Sequence, residues 1–520
     1  MNNSTHEVDS KQLYHDAFKE VDGHRVAMST EADVKDMSRM GKDQQFNRIF
    51  RQSTMIMFTS MIQGTWEVVL LANSAGMVNG GLAGLFWGYI WTFVGFFSIV
   101  MSLAEMASMA PTSGGQYHWQ VTFNIYISGW MSTLSWQAGT AGSAFIMGSL
   151  IQAVVVAYNP SYAPTRWQGT LFVFAFSAFQ GLVNTFLAAQ LPRIQKLMVV
   201  PHALGWIAVV AVLWVLAPHA SAKDVFTTFS SNGGWEPIGL SLMVGQITSV
   251  YFLILSDSAA HLSEEVKDAA TSVPAAMMWS FVLNGTVGFI VLVTFLFAIP
   301  DISAALSPDT NPTGFTFLYV FQKASYRGSI PLTVIIILVA LAGGVDSNCS
   351  TSRQVFAFAR DGGFPFRNWL SQIQNKTVPR NAVILTCSIS VLLSLINLGS
   401  TVAFNAIISL QLLSLMSTYC LSIGCVFYQR LIGGTQSLPP AKWSLGRYGL
   451  FINGSGFFYS FFILFWAGWP SSRKFETMTF NWGPVMFLAA FLFSLVYYMA
   501  YGRKSYMGPV LLVKDSIQMR

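Results

Sequence analysis

Apolar residues run along this chain in blocks of about twenty, the length that roughly 30 Å of hydrocarbon demands of an α-helix, and the blocks are separated by short Gly-, Pro- and charge-rich stretches. Long runs, and not short alternating segments, carry the pattern, so helices and not a membrane β-barrel are expected. The runs predict spans near 53–78, 82–109, 122–157, 168–189, 193–217, 237–265, 275–299, 330–358, 381–398, 402–429, 448–469 and 481–502. A stretch at 313–325, amphipathic and lying between Pro312 and Pro331, predicts a short helix on the membrane surface. The fold class that follows is an all-α integral membrane protein of about twelve spans, divided into a polar tail (1–52), a membrane body (53–502) and a second tail (503–520).

Composition agrees, because 520 residues that are 53% hydrophobic and only 10% charged cannot cover a soluble globule, and lipid must be part of the solvent. The net charge of +6 lies in loops between spans and not on one basic face, which excludes a nucleic-acid partner in favour of a topological role. Lys and Arg gather in the first tail, at Arg193, Lys196 and Lys267, from Arg353 to Arg380, and at Arg430, Lys442, Arg447, Arg503 and Lys504. This bias places both termini in the cytosol, with the plasma membrane as the expected site and a vacuolar or other internal membrane as the alternative. The first fifty residues lack the apolar core of a cleaved signal peptide. Cys349, Cys387, Cys420 and Cys425 lie in or beside apolar runs without metal-ligand or disulfide spacing, and no cofactor is expected.

A charge at membrane depth costs several kcal/mol unless it faces a cavity or a partner, so ionisable residues within spans are the natural place to look for function. They are Glu67, Glu105, Asp257, His261 and Asp346, with His202 near the start of the fifth span. Glu67 stands in Gln63-Gly64-Thr65-Trp66-Glu67, a polar interruption midway along the first span, and Asp257 stands in Ser256-Asp257-Ser258 midway along the sixth. Interruptions at corresponding places in two halves point to an inverted-repeat transporter with its site near the midplane. The candidate binding residues are Gly64, Thr65, Trp66, Glu67, Tyr251, Ser256 and Asp257, with aromatic side chains available to cage an ammonium. The competing account has the two acids merely starting half-helices. Beyond Asp257, His261, Glu264 and Glu265 fall on one helical face; they could pass protons, or form a satisfied polar end paired with Arg353 or Arg360.

Three stretches resemble the fungal amino acid, choline and GABA permeases of the amino acid–polyamine–organocation superfamily. They are Ala104-Glu105-Met106-Ala107-Ser108 with Pro111-Thr112-Ser113-Gly114-Gly115-Gln116-Tyr117-His118-Trp119; the run Asp257 to Glu265; and Ser352 to Pro365. The resemblance implies a LeuT-type fold of two inverted five-helix repeats plus two C-terminal helices. It also implies proton-coupled movement of a small amine or amino acid, and an inner gate that includes Glu105, Arg353 and Arg360. Relatives commonly carry a glycine and an aromatic before the aspartate, where this chain has Leu255 and Ser256. That departure argues against easy unwinding of the sixth helix and leaves open a specialised metabolite, such as an alkaloid moved outward, as the cargo. A receptor that binds without transporting is a further alternative. A membrane-embedded enzyme would need a convergent nucleophile, base or metal set that the scattered histidines do not supply.

Overall fold

The computed structural model describes residues 29–119, 123–159, 161–399, 403–434, 437–476 and 480–506. The chain is helical throughout the membrane body. Among the described residues, eleven helices are long and apolar enough to cross a membrane: Gln52–Val78, Gly81–Met109, Ile125–Tyr158, Arg166–Phe186, Ala188–Leu216, Ala269–Phe297, Ser329–Arg360, Arg380–Leu398, Asn405–Gly433, Gly446–Ala467 and Gly483–Gly502. The remaining span is broken, with Ile238–Leu253 followed, after an unwound stretch, by the short helix Ser258–His261. Counting it sixth gives the expected twelve. The short helix expected at 313–325 is present as Thr316–Ala324, with Phe317, Leu318, Val320 and Phe321 buried.

The packing repeats when each span of the first half is exchanged for the one five places later. Span 7 lies on span 1 as span 2 lies on span 6; span 8 lies on span 5 as span 3 lies on span 10; span 8 lies on span 4 as span 3 lies on span 9. Five helices per repeat is an odd number, so the second repeat crosses in the opposite sense. Spans 11 and 12 stand outside the repeats, span 11 on spans 2 and 10 and span 12 on spans 3 and 10. Peripheral helices turn apolar side chains outward, as at Phe179 and Phe186 on span 4, Leu204 and Val215 on span 5, and Leu488 and Val496 on span 12. Polar side chains go inward, which is the arrangement lipid selects.

The segment ahead of span 1, expected as a polar tail, is docked onto the body from residue 29 onward. Thr30 caps the helix Glu31–Arg39 through a capping box with Asp33. Asp33 in turn accepts the backbone N–H groups of Asp268 and Ala269, each at 3.0 Å, at the start of span 7. Further along, Phe50 exchanges backbone bonds with Glu265 and Lys267 in a parallel bridge. The first 28 residues and those after 506 lie outside the described residues.

Candidate functional site

Both predicted interruptions are real breaks. Span 1 stops at Gln63, passes through Gly64 in the left-handed conformation (φ 45°) and restarts at Thr65. A glycine tolerates that conformation without a Cβ clash. Span 6 stops at Leu253, and Leu255 carries the reversal with φ 77°. The missing glycine therefore does not prevent unwinding: a leucine is held in a conformation that costs a branched side chain free energy, and such strain concentrates at functional sites. The expectation drawn from Leu255 and Ser256 is corrected on this point.

The breaks face one cavity of about 700 Å³, counting its open mouth. Gln63, Gly64, Glu67 and Val68 of span 1, Tyr251, Ile254 and Leu255 of span 6, Gly139 and Ser143 of span 3, Gly343 and Ser347 of span 8, and Gln411 of span 10 line it. Small residues make the room: a Cβ at Gly139 would lie 2.6 Å from the Gln411 amide, and one at Gly343 would lie 2.9 Å from the Met61 carbonyl oxygen. Met61, Ile62, Ile146, Met147 and Val339 give the wall its apolar part.

Of the residues predicted to bind substrate, Gly64, Glu67 and Tyr251 line the cavity, whereas Thr65, Trp66, Ser256 and Asp257 stand behind its wall. Glu67 Oε1 lies 2.7 Å from His202 Nδ1 on span 5, and its other oxygen, Oε2, is buried without a hydrogen-bond partner. Trp66 Nε1 points at the same His202 nitrogen from 3.2 Å. One ring nitrogen cannot accept from the indole and donate to the carboxylate at once, so Nδ1 serves one of these two contacts at a time, and the one to Glu67 is the shorter. Asp257 accepts from the Gln116 amide and lies 3.8 Å from His261 Nε2.

Past His261 the helical stripe ends in ion pairs. Glu264 receives both terminal nitrogens of Arg360 at 2.8 Å, and Glu265 receives Arg353 Nε at 2.7 Å. This favours the satisfied polar end over an open proton path. Glu105 is further away, held at 2.7 Å by Arg430 of span 10 and by Ser444 and the backbone of Leu445. Lys42 closes the same end of the molecule on Asp361 at 2.7 Å; burial lowers the pKa of its ammonium, and the carboxylate opposes that shift. Burial also pushes His118, in the loop between spans 2 and 3, down to about 3, so this imidazole is neutral at physiological pH. Among the described residues, no group of three His, Cys, Asp or Glu side chains is placed to hold a metal ion.

Residues 50–496 match the family model described as amino acid permease. The chain belongs to the amino acid permease family. An uncharacterized amino-acid permease of Schizosaccharomyces pombe is 27% identical over 96% of this permease and 93% of its own length. Amino-acid permease 2 of Neurospora crassa is 25% identical over 93% and 90%, and amino-acid permease BAT1 of Arabidopsis thaliana is 27% identical over 84% and 88%. These relatives are named as transporters and not as enzymes, and the permease is an integral membrane protein of the same kind. Sequence reasoning did not reach His202 as the partner of Glu67, nor Gln411, Ser143 and Ser347 in the wall. The glycines at 139, 343 and 344 were the available signal, since clustered small residues within spans mark close approach.

Proposed function

We propose that this permease is a proton-coupled secondary transporter of a small amino compound, an amino acid or a related amine such as GABA, choline or a polyamine, with both termini in the cytosol of a plasma-membrane topology. The observation that carries the reading is the meeting of two helix breaks at one cavity whose wall includes Glu67, a carboxylate with one oxygen left without a hydrogen-bond partner. A substrate ammonium placed there completes the hydrogen bonding of a carboxylate that the fold leaves half satisfied. Backbone groups released at Gly64 and Leu255 supply the remaining polar contacts, and the apolar wall accepts the side chain. With the tails inside, the paired layer of Glu264, Arg360, Glu265, Arg353, Lys42 and Asp361 closes the cytoplasmic end.

The test is uptake and counterflow across candidate amines in a permease-deficient yeast at two external pH values. Glu67→Gln is expected to lower uptake by about tenfold or more at matched surface expression, the cost of about one buried charge-assisted bond. Asp257→Asn, one layer behind the wall, is expected to lower it less. Unchanged uptake in both variants removes these residues from the site. A second reading, outward movement of a specialised metabolite, is favoured by the apolar wall around Met147 and Val339 and by Leu255 at the break. Metabolite retention in a deletion strain separates it from nutrient uptake.

A further inference from the structure

A further buried acid lies outside the cavity and has no ion-pair partner among the described residues. Asp346 of span 8 is 0% exposed, and Gln195 of span 5, its hydrogen-bond partner, is 1% exposed. Gln195 Nε2 donates to Asp346 Oδ1 at 2.7 Å. The two oxygens left over, Asp346 Oδ2 and Gln195 Oε1, are both buried and both without a partner. Each is an acceptor, so they cannot satisfy one another as they stand. A single proton on Oδ2 changes that: it removes the charge and turns one orphaned acceptor into a donor, for which the unpartnered oxygen of the already bonded Gln195 amide is the natural acceptor. As a carboxylate, the same group would hold a full charge at membrane depth against one neutral donor, at a cost of several kcal/mol.

The surroundings offer no other counter-charge. Glu67 on span 1 and His202 on span 5 are bonded to each other. Arg353, two turns along span 8, is taken by Glu265, and Asp257 and His261 face Gln116 and the Ser113 carbonyl. Arg193 and Lys196 on span 5, Arg166 at the start of span 4, Arg380 at the start of span 9, Lys323 on the helix Thr316–Ala324 and Arg367 just beyond span 8 are the remaining charges on the helices packed against span 8; on its own helix Arg360 is taken by Glu264, and Cys349 is the titratable neighbour. None of them forms an ion pair with Asp346 among the described residues.

The position suits coupling. Asp346 follows by one turn Gly343, which packs against the Met61 carbonyl beside the break in span 1, and it precedes Ser347 in the cavity wall. Its bond to Gln195 ties span 8 of one repeat to span 5 of the other, a contact that must change when the repeats rock. We propose that Asp346 carries the coupling proton, held as an acid–amide pair with Gln195 and released when the two spans part. The inference rests on the transport reading above.

Asp346→Asn mimics the protonated acid permanently, offering the Gln195 amide an acceptor oxygen and a donor N–H in place of the acid's. The purified permease is reconstituted in liposomes and probed with a tritiated mixture of neutral amino acids and 4-aminobutyrate. The expected result is counterflow within about twofold of wild type, loss of the roughly tenfold or greater accumulation driven by an imposed proton gradient, and a flat pH profile. Gradient-driven accumulation that survives in Asp346→Asn overturns the proposal. So does loss of counterflow with unchanged melting, which would assign the carboxyl to substrate binding. Should the asparagine variant not fold, Asp346→Ser also lacks a titrating group and is expected to uncouple in the same way, and coupled uptake by it overturns the proposal. Wild-type counterflow that ignores the gradient defeats the proton assignment while leaving transport standing; absence of wild-type counterflow defeats the transport reading and this inference with it.

Discussion

Arg430→Ala is expected to destabilise the folded permease by about 3–5 kcal/mol, the cost of stranding a buried carboxylate. Glu105 is 0% exposed, and Arg430 supplies its one cation among the described residues, bonding at the same time to Asn453 of span 11, which is held by Ser102 of span 2. One guanidinium thus joins spans 2, 10 and 11 around an acid that cannot be hydrated. Gly449 leaves the space for it: a Cβ there would lie 2.3 Å from the guanidinium carbon, so Gly449→Ala is expected to act in the same direction. Glu105→Leu combined with Arg430→Met, which removes both charges and keeps the volume, should recover much of the loss, because well-packed apolar side chains replace buried pairs at little cost. Thermal melting of detergent-solubilised protein followed by size-exclusion chromatography measures the series. Wild-type melting of Arg430→Ala would show that water reaches Glu105 and that the triad is not a fastener. Glu105 belongs on this account to the scaffold that supports the gate and not to the moving part.

What was legible in the sequence follows from what lipid enforces. Apolar length sets the spans, and the polar, glycine-containing run at Gln63-Gly64-Thr65 marks the first break because only glycine takes φ 45° without cost. The second break was located by Ser256 and Asp257, yet its geometry could not be read: Leu255 at φ 77° is imposed by packing across the molecule, which no local propensity encodes. The partners of the acids were hidden for a related reason. Glu67 meets His202 from 135 positions away and Asp346 meets Gln195 from 151, and a glutamine in an apolar run carries no sign of which acid it will face. Residues 29–51 were misleading in the opposite direction. Their polarity reads as a solvated tail, but their charges are matched to backbone ends on the body, and burial of polar groups is permitted wherever the partners are supplied.

That matched segment makes a second large effect predictable. Arg48 is 1% exposed; it pairs with Asp33 at 3.4 Å and donates to the carbonyl oxygens of Ser263 and Val266, directly beneath the broken sixth helix. Arg48→Ala takes the cation from the buried Asp33 carboxylate and the guanidinium donors from the Ser263 and Val266 carbonyls, a loss expected to weigh on the closed arrangement, where water does not replace them. The penalty of about 3 kcal/mol therefore falls on the closed state and shifts the open-to-closed ratio by about two orders of magnitude. A cysteine placed at Ser263, buried behind the docked segment, reports the shift in a background where Cys349, Cys387, Cys420 and Cys425 are replaced. Labelling by an impermeant maleimide, in vesicles that expose this face, is expected to run at least about tenfold faster in Arg48→Ala than in the parent. Arg48→Lys keeps the charge but not the forked donors and should fall between the two. Equal labelling rates in all three would mean that Arg48 holds the segment without holding the gate, and that closure rests on the pairs made by Arg353, Arg360 and Lys42.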